Sequence, residues 1–235
     1  MDDGRWTVVG YQLSVVGYWL SVDEMMNEEQ PGRPSSATIG AAILAGGASS
    51  RMGRNKALLR LSANGPTLIE TVVARLAQGG FPTPAIITNT PGEYTFLHLP
   101  SLPDDTPGNG ALGGILTALR HSPHSRVLVV ACDMPFLNPA LLRYMASVPA
   151  GYDALAPTWT DPAGKCYVEP LHAIYSKTTI PTIERSIAAG ELKLHELLSA
   201  LNTTYLHEED ARQYDPQLLS FRNVNTPGDW ALMAR

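Results

Sequence analysis

The segment from Leu44 to Lys56, with the sequence LAGGASSRMGRNK, concentrates the residues of this chain that are best suited to bind phosphate. It follows a short apolar run, Ile39–Leu44, that predicts a buried strand. Adjacent glycines after a strand let the backbone pass close to an anion and direct its N–H groups at it. Arg51 can donate parallel hydrogen bonds to phosphate oxygens, and Lys56 adds a compact positive charge. The segment therefore predicts a loop that binds the phosphates of a nucleoside triphosphate.

The spacing of this loop excludes the two common glycine-rich phosphate motifs. It lacks the G-x-G-x-x-G of dinucleotide-binding folds and the G-x-x-x-x-G-K-[ST] of P-loops. Fixed cations beside the β- and γ-phosphates would stabilise the charge that grows there as pyrophosphate leaves. The loop is thus a third type of phosphate site, in which Arg51 and Lys56 are the expected catalytic cations.

Asp133 lies just after a second apolar run, Arg126–Ala131, which predicts another buried strand, and only Cys132 separates the two. A carboxylate at this place suits Mg²⁺, which takes one or two carboxylates together with phosphate oxygens and water. The alternative is that Asp133 caps the helix that starts near Pro139, but Asn138 is better placed for that role. We therefore expect Asp133 to bind Mg²⁺.

Strand-like and helix-like segments alternate along most of the chain, which predicts an α/β fold in which helices cover both faces of a mostly parallel sheet. The predicted strands are Ile39–Leu44, Ala85–Thr88, Arg126–Ala131, Asp153–Ala156 and Glu169–Tyr175, and the predicted helices are Leu68–Gln78, Gly113–Arg120, Pro139–Ala146, Ile180–Ala189 and Leu192–Leu201. In such sheets ligands bind beyond the carboxyl ends of the strands. The phosphate loop, Asn89 and Asp133 each follow a predicted strand, so one crevice is expected to hold them all.

Length and composition set limits on the class of protein. A chain of 235 residues fits one α/β domain with a sizeable core. The formal net charge of −5 and the lack of a Lys/Arg cluster disfavour a nucleic-acid partner. Cys132 and Cys166 lie far apart, which argues against a zinc site and a disulfide framework and suits a reducing cytosol. We therefore expect a cytoplasmic protein.

Residues 1–37 differ in character from the rest. Val8–Ser14, VVGYQLS, is followed at once by Val15–Ser21, VVGYWLS, so the segment contains a tandem repeat with a single change. Its acidic start and its polar interruptions are atypical of a secretory signal or a membrane anchor. We predict a flexible N-terminal extension over residues 1–37, no membrane association, and a catalytic domain over residues 38–235.

Four segments together resemble the motifs of the MobA-like nucleotidyltransferases, in family order between residues 39 and 230. They are the loop Leu44–Lys56, Asp105–Gly114 (DTPGNGALGG), Val127–Phe136 (VLVVACDMPF) and Phe221–Asp229 (FRNVNTPGD). The resemblance implies a single three-layer α/β/α domain with a Rossmann-like nucleotidyltransferase fold. It implies transfer of GMP from GTP to the terminal phosphate of molybdopterin with release of pyrophosphate, and Mg²⁺ as the cofactor.

The resemblance also implies which residues bind the substrates. The nucleotide-binding residues would be Leu44, Ala45, Gly46, Gly47, Lys56, Asn89, Asp105, Gly113 and Asp133, and Asn225 would join Asp133 at the metal or approach the second substrate's phosphate. Asn89, Asp105 and Asn225 have an alternative role as ordinary turn residues. The expected partners are GTP, molybdopterin and cofactor insertion or chaperone proteins, and the expected state is a monomer or a weak oligomer.

The chain departs from the family pattern at Asn55 and at Glu169. Asn55 stands where many members have Asp, and the loss of that carboxylate is expected to weaken a local salt link. Glu169 stands where some members carry His, in a region that the resemblance implies faces the second substrate, and this leaves the second substrate open. A nucleotidyltransferase that acts on another nucleotide or acceptor, such as cytidylyl transfer to molybdopterin or transfer to a sugar phosphate, would keep the loop and Asp133. A nucleotide-binding module without turnover is a third alternative, although it would not need cations placed for a leaving group.

Overall fold

The computed structural model describes residues 12–15, 18–21, 39–46, 55–60, 62, 64–161, 163–224 and 229. The chain divides into two compact units, Met1–Ser35 and Ser36–Arg235. In the first unit, strand β1 (Gln12–Val15) pairs antiparallel with strand β2 (Tyr18–Ser21), both within the tandem repeat. The other residues of the predicted extension lie outside the described part of the chain, so its flexibility stays a prediction.

The second unit is built around an eight-stranded sheet with the order β10-β7-β9-β6-β3-β4-β5, in which β8 pairs with β7. The strands are β3 (Ile39–Leu44), β4 (Ala85–Ile87), β5 (Ser101–Leu102), β6 (Arg126–Ala131), β7 (Ala154–Thr160), β8 (Cys166–Val168), β9 (His172–Ser176) and β10 (Thr203–Leu206). β3 pairs parallel with β4 and β6, and β7 pairs parallel with β10. β9 is antiparallel to β6 and β7, and β8 is antiparallel to β7. The predicted mostly parallel sheet is confirmed.

Helices cover both faces of this sheet. They are α1 (Leu68–Gln78), α2 (Gly110–His121), α3 (Pro139–Ser147), α4 (Ile180–Ala189), α5 (Leu194–Ala200) and α6 (Glu208–Arg212). Side chains of α1, α3 and α6 pack in one core cluster, and those of α2, α4 and α5 pack in another. Successive residues of a strand point to opposite faces, so β6 contributes Leu128 and Val130 to the first cluster and Val127 and Val129 to the second. The result is the predicted three-layer α/β/α arrangement.

One predicted strand is wrong in its extent. The sequence predicts a continuous strand over Glu169–Tyr175, but the structure has β8 before Glu169 and β9 from His172 onward. Pro170 lacks an N–H group to donate to a ladder. The His172 N–H donates to the Glu169 carbonyl at 3.2 Å, which closes a turn. β8 and β9 both run antiparallel to β7, so the turn at Glu169–Leu171 interrupts the strand without reversing it, and it places Leu171 beside the carboxyl end of β6.

Candidate functional site

A cavity of about 610 Å³ opens beyond the carboxyl ends of β3, β4 and β6, and it is called the first cavity below. Its volume lies within the range of small-molecule sites. Its lining includes Leu44, Gly46, Lys56, Thr88, Asn89, Asp104, Gly108, Gly114, Cys132, Asp133, Leu171 and Asn223. The crevice predicted from the order of the strands thus contains residues from the phosphate loop, from the β4 end and from the β6 end.

Lys56 and Asp133 are in direct contact in this cavity, although 77 positions separate them in the sequence. Lys56 Nζ lies 2.7 Å from Asp133 Oδ2, and the side chains are only 16% and 20% exposed. Partial burial strengthens such a pair because the local dielectric is lower than that of water. The two groups expected to handle phosphate and metal are therefore neighbours.

The second oxygen of Asp133 is a buried acceptor that lacks a hydrogen-bond partner within the described part of the chain. A buried polar atom without a partner is unfavourable unless a ligand or ion satisfies it. Groups of three or more His, Cys, Asp or Glu side chains that could hold a metal are absent among the described residues. Mg²⁺ does not need such a group, because phosphate oxygens and water complete its shell. Asp133 Oδ1 therefore fits one ligand position of a divalent cation.

Asn138, and not Asp133, caps the helix that follows. Its side chain accepts hydrogen bonds from the N–H groups of Ala140 and Leu141 at the start of α3. Asp133 therefore does not have the capping role that was the alternative to metal binding.

A short helical turn, Lys56–Leu58, positions Lys56, and Asn55 is its N-cap. The Asn55 side chain accepts from the Ala57 N–H at 3.1 Å and donates to the buried Tyr94 hydroxyl at 2.9 Å. That hydroxyl donates to the carbonyl of Ala45 at 3.3 Å. Burial raises the pKa of Tyr94, so the hydroxyl stays protonated and keeps this donor role. Tyr94, which the sequence did not single out, thus ties the beginning of the phosphate loop to its end.

Asn89 lines the first cavity, and its side chain has no hydrogen bond to other described residues. The turn at this point is made instead by Thr88, whose hydroxyl accepts from the Thr90 N–H at 3.2 Å. The turn role that was the alternative for Asn89 is therefore filled by its neighbour, which leaves the Asn89 amide available to a ligand.

Asp105 has a different environment from the one expected for a nucleotide ligand. Its carboxylate contacts His121 Nε2 at 3.0 Å and Arg120 at 3.7 Å, near the end of α2. Asp104 lines the first cavity in its place. Asp104 Oδ1 accepts from the Thr106 N–H at 2.9 Å and from the Thr117 hydroxyl at 3.1 Å, whereas Oδ2 has no hydrogen bond from the described residues. The structure thus brings the neighbouring aspartate to the cavity.

Gly113, in the first turns of α2, and Gly46, in the phosphate loop, differ in their surroundings. A Cβ atom at Gly113 would lie 2.8 Å from Thr106 Oγ1 and 3.0 Å from Asp104 Oδ2, so this glycine allows α2 to pack against the Asp104 turn. Among the described residues, a Cβ atom at Gly46 would meet only the Thr88 Cα, at 3.9 Å, which is an ordinary contact. The described residues therefore leave room for a side chain at position 46, whereas a ligand that contacts the backbone there would require glycine.

Three predicted site residues, Gly47, Arg51 and Asn225, lie outside the described residues. Ala45 precedes the cavity residue Gly46, and its N–H donates to the Ile87 carbonyl at 2.9 Å. Asn223, the other asparagine of the Phe221–Asp229 segment, lines the first cavity. The N–H of the next residue, Val224, donates to the Asp133 carbonyl at 2.8 Å and so fixes the C-terminal segment at the end of β6.

Cys132 is the other group of chemical interest in the lining. Burial raises the pKa of its thiol to about 12, and the neighbouring Asp133 carboxylate contributes to the same increase. A thiol with this pKa is neutral near pH 7 and is a poor nucleophile. Cys132 therefore contributes volume and not covalent chemistry.

Comparison with known proteins identifies the family. Residues 41–205 match the model of the MobA-like NTP transferase domain. A protein of Chloroflexus aggregans named probable molybdenum cofactor guanylyltransferase is 35% identical over 201 residues, which cover 85% of this chain and 95% of that protein. A protein of the same name from Pelotomaculum thermopropionicum is 37% identical over 187 residues, 80% of this chain and 87% of that protein.

A solved structure has the same fold. The crystal structure of molybdopterin-guanine dinucleotide biosynthesis protein A from Archaeoglobus fulgidus is similar with a TM-score of 0.68 and 33% sequence identity. The similarity covers 82% of this chain and 95% of that chain. The chain therefore belongs to the MobA-like NTP transferase family.

Proposed function

We propose that this protein is a molybdenum cofactor guanylyltransferase, which transfers GMP from GTP to the terminal phosphate of molybdopterin. The observation that carries the proposal is the Lys56–Asp133 pair in the first cavity, where Asp133 keeps one buried oxygen without a partner among the described residues. The names of the relatives support the choice of substrates.

In the proposed reaction an oxygen of the molybdopterin phosphate attacks the α-phosphorus of GTP. A new phosphorus–oxygen bond forms, the bond from the α-phosphorus to the bridging oxygen breaks, and pyrophosphate leaves with the electron pair. Lys56, together with Arg51, would face the β- and γ-phosphates, where negative charge increases. The protein contributes position and charge, and no side chain forms a covalent bond to the substrate.

Asp133 would hold a divalent cation, which we propose to be Mg²⁺, with Asn225 as a further ligand. The cation, when bound, supplies charge neutralisation at the reacting phosphate oxygens. Lys56 donates to Asp133 Oδ2 at 2.7 Å, so its ammonium lies beside the carboxylate whose charge the cation would share.

Base recognition is assigned to the part of the first cavity that Asn89 and Asp104 line. We propose that Asp104, and not Asp105, accepts hydrogen bonds from the N1–H and amino groups of guanine, because Asp104 lines the cavity and its Oδ2 is available. Asn89, whose amide has no partner among the described residues, would contact the base or ribose from the β4 end.

We place the reaction in the cytoplasm, where a reducing environment suits the two free cysteines. We propose that the protein is a monomer or a weak oligomer and that it passes its product to cofactor insertion or chaperone proteins. Among the described residues, no helix is both long and apolar enough to cross a membrane.

The test is pyrophosphate release by the purified full chain with Mg²⁺ and each of GTP, CTP, ATP and UTP, with and without molybdopterin. We expect release with GTP only, and only when molybdopterin is present. Release with CTP in place of GTP would make the protein a cytidylyltransferase. Tight GTP binding without release for any pair would favour another acceptor or a binding module.

A further inference from the structure

A cavity of about 590 Å³ lies beside the first cavity, and it is called the second cavity below. It is lined by Trp159 and Thr160 at the end of β7, by Asp161, by Arg212, and by residues 217–218 and 221–223. Asn223 lines both cavities. Because Val224, the residue after Asn223, is hydrogen-bonded to the Asp133 carbonyl, the two cavities adjoin at the segment that leads to Asp133.

A second connection runs through the turn between β8 and β9. Glu169 begins this turn and accepts a hydrogen bond from Trp159 Nε1 at 2.7 Å, on the side of the second cavity. Leu171 ends the turn and lines the first cavity. The Glu169 N–H donates to the Pro157 carbonyl at 2.9 Å, which holds the turn against β7. A molecule in the second cavity would therefore lie next to a nucleotide in the first.

The second cavity offers a fixed aromatic surface. The Trp159 ring is stacked on Tyr167, with the ring centroids 4.8 Å apart and 20° between the ring planes. Its indole N–H is already bound to Glu169, so the ring is held by contacts on two sides. Burial raises the pKa of Glu169, and the hydrogen bond from Trp159 acts in the opposite direction. A half-buried, immobilised indole is a suitable surface for a planar heteroaromatic group.

The charged groups that line the second cavity include one guanidinium without a partner among the described residues. The Arg212 guanidinium lies 2.7 Å from Glu208 Oε1. The Asp161 carboxylate accepts from the N–H groups of Ala163 and Lys165, each at 2.9 Å. Arg222 is exposed, and its guanidinium has no hydrogen bond or ion pair within the part of the chain that the structure describes. Since Arg222 directly precedes Asn223, this charge lies close to the boundary between the cavities.

We propose that the second cavity binds the acceptor, a pterin that carries a terminal phosphate, with Trp159 against the ring and Arg222 beside the phosphate. This inference rests on the proposed function, since it assigns the acceptor of that same reaction. Arg222 and Trp159 contact the substrate, and Glu169 is a positioning residue that acts through the indole. A guanidinium can pair with two phosphate oxygens, which suits a terminal phosphate directed toward the first cavity.

The test measures initial rates with molybdopterin varied at saturating GTP, and with GTP varied at saturating molybdopterin, for Trp159→Leu and Arg222→Ala. We expect KM for molybdopterin to rise about three- to tenfold in each variant, while KM for GTP stays within about twofold of the unmodified protein. Arg222→Ala changes an exposed side chain, so its folding is not at risk. Tyr205→Leu and Arg185→Ala are the matched controls, since both side chains are exposed and neither lines a cavity described here.

Glu169 is tested by a conservative pair of variants. Glu169→Gln keeps an oxygen that can accept the indole N–H and should leave KM for molybdopterin near that of the unmodified protein. Glu169→Leu removes the acceptor and should raise this KM while kcat changes little. A parallel rise of both KM values in Glu169→Leu would indicate a structural effect and would contradict the positioning role.

The outcomes separate this inference from the function on which it rests. If the unmodified protein releases no pyrophosphate with GTP and molybdopterin, the proposed function is wrong and this inference is wrong with it. If the unmodified protein is active but Trp159→Leu and Arg222→Ala keep an unchanged KM for molybdopterin, only the assignment of the acceptor site is overturned. A rise in KM for GTP alone would assign these residues to the nucleotide and would overturn it equally.

Discussion

At the scale of single residues, the Asp133 carboxylate divides its two oxygens between different tasks. Oδ2 accepts from Lys56 at 2.7 Å, and Oδ1 is buried without a partner among the described residues. Removing the charge but keeping the shape should therefore affect the cation site more than the fold. Gly46 of the phosphate loop can be tested in the same way, because an added Cβ there should affect a bound ligand more than the fold.

We predict that Asp133→Asn lowers kcat by on the order of 100-fold or more, because a neutral amide binds Mg²⁺ far less well than a carboxylate. The affinity for GTP measured without metal should change little, or increase, since Lys56 loses its ion-pair partner. Rates of pyrophosphate release and equilibrium binding of GTP measure the two effects. Unchanged turnover in this variant would contradict the metal role of Asp133.

We predict that Gly46→Ala keeps the stability of the fold and weakens GTP binding by about tenfold or more. Among the described residues the added Cβ would meet only the Thr88 Cα, at the ordinary contact distance of 3.9 Å, so we expect it to disturb a bound ligand more than the fold. Gly92→Ala is the matched control, because a Cβ there meets none of the described residues within 4 Å and Gly92 does not line the first cavity. Equal GTP affinity for both variants would show that the backbone at Gly46 does not approach the nucleotide.

The sequence predicted Lys56, Asn89 and Asp133 from their types and their positions after strands, and all three line the first cavity. It assigned Asp105, whereas Asp104 lines the cavity, because adjacent aspartates in one loop carry the same local signal. The difference comes from tertiary contacts: Thr117 of α2 holds Asp104, and the end of the same helix pairs with Asp105. Such contacts between segments are not visible in a local pattern.

At the scale of elements, the turn that carries Lys56 depends on an amide at Asn55. The Asn55 Nδ2 donates to Glu93 Oε2 at 2.5 Å as well as to Tyr94. An Asp at this position, as in many family members, would place two carboxylates against each other. The Asn55 amide therefore suits the neighbouring Glu93 carboxylate. Its hydrogen bond to Glu93 compensates for the salt link whose loss the sequence predicts.

We predict that Asn55→Asp lowers the free energy of unfolding by about 1 kcal/mol, since like charges then meet at a partly exposed site. The double variant Asn55→Asp with Glu93→Gln should recover most of this loss, because the Gln amide can donate to the new carboxylate. Urea unfolding of the single and double variants measures both free energies. Equal stability of the two variants would mean that the 55–93 contact has no energetic role.

Long elements with a clear period were predictable, and short ones were not. The predicted bounds of α1, β6 and α4 agree with the structure. α1 is delimited by a Thr67–Glu70 capping box at its start and by Gly79 at its end, and all three residues are visible in the sequence. β5, β8 and β10 have two to four residues and depend on pairing with neighbouring strands, so no period marks them.

At the scale of the whole molecule, the C-terminal segment that contains Phe221 packs against a buried histidine of the sheet. His172 of β9 is fully buried and contacts the Phe221 ring edge-on, with the centroids 5.3 Å apart. Its ring nitrogens have no hydrogen bond that meets standard geometry within the described residues. Burial lowers the pKa of His172 to about 4, while the nearby Asp215 carboxylate acts in the opposite direction. The segment that carries Asn223 is thus packed on a neutral imidazole.

We predict that this histidine makes the fold sensitive to acid. Because the pKa of His172 is lowered in the folded state, its contribution to stability is fully present above pH 6.5 and is lost as the pH falls toward about 4. The unfolding free energy should therefore fall by up to about 3 kcal/mol more in the unmodified protein than in His172→Leu over this range. Urea unfolding at several pH values measures the difference, and a difference that does not vary with pH would contradict the assignment.

The central claim, guanylyl transfer in the first cavity, is tested most directly by following isotopic label from GTP in the presence of molybdopterin and Mg²⁺. The account predicts that label at the α-phosphorus enters the molybdopterin product and that an equal amount of γ-label leaves as pyrophosphate. Label at the γ-phosphorus that appears as inorganic phosphate, with the α-label retained in GDP, would show GTP hydrolysis and would contradict the account.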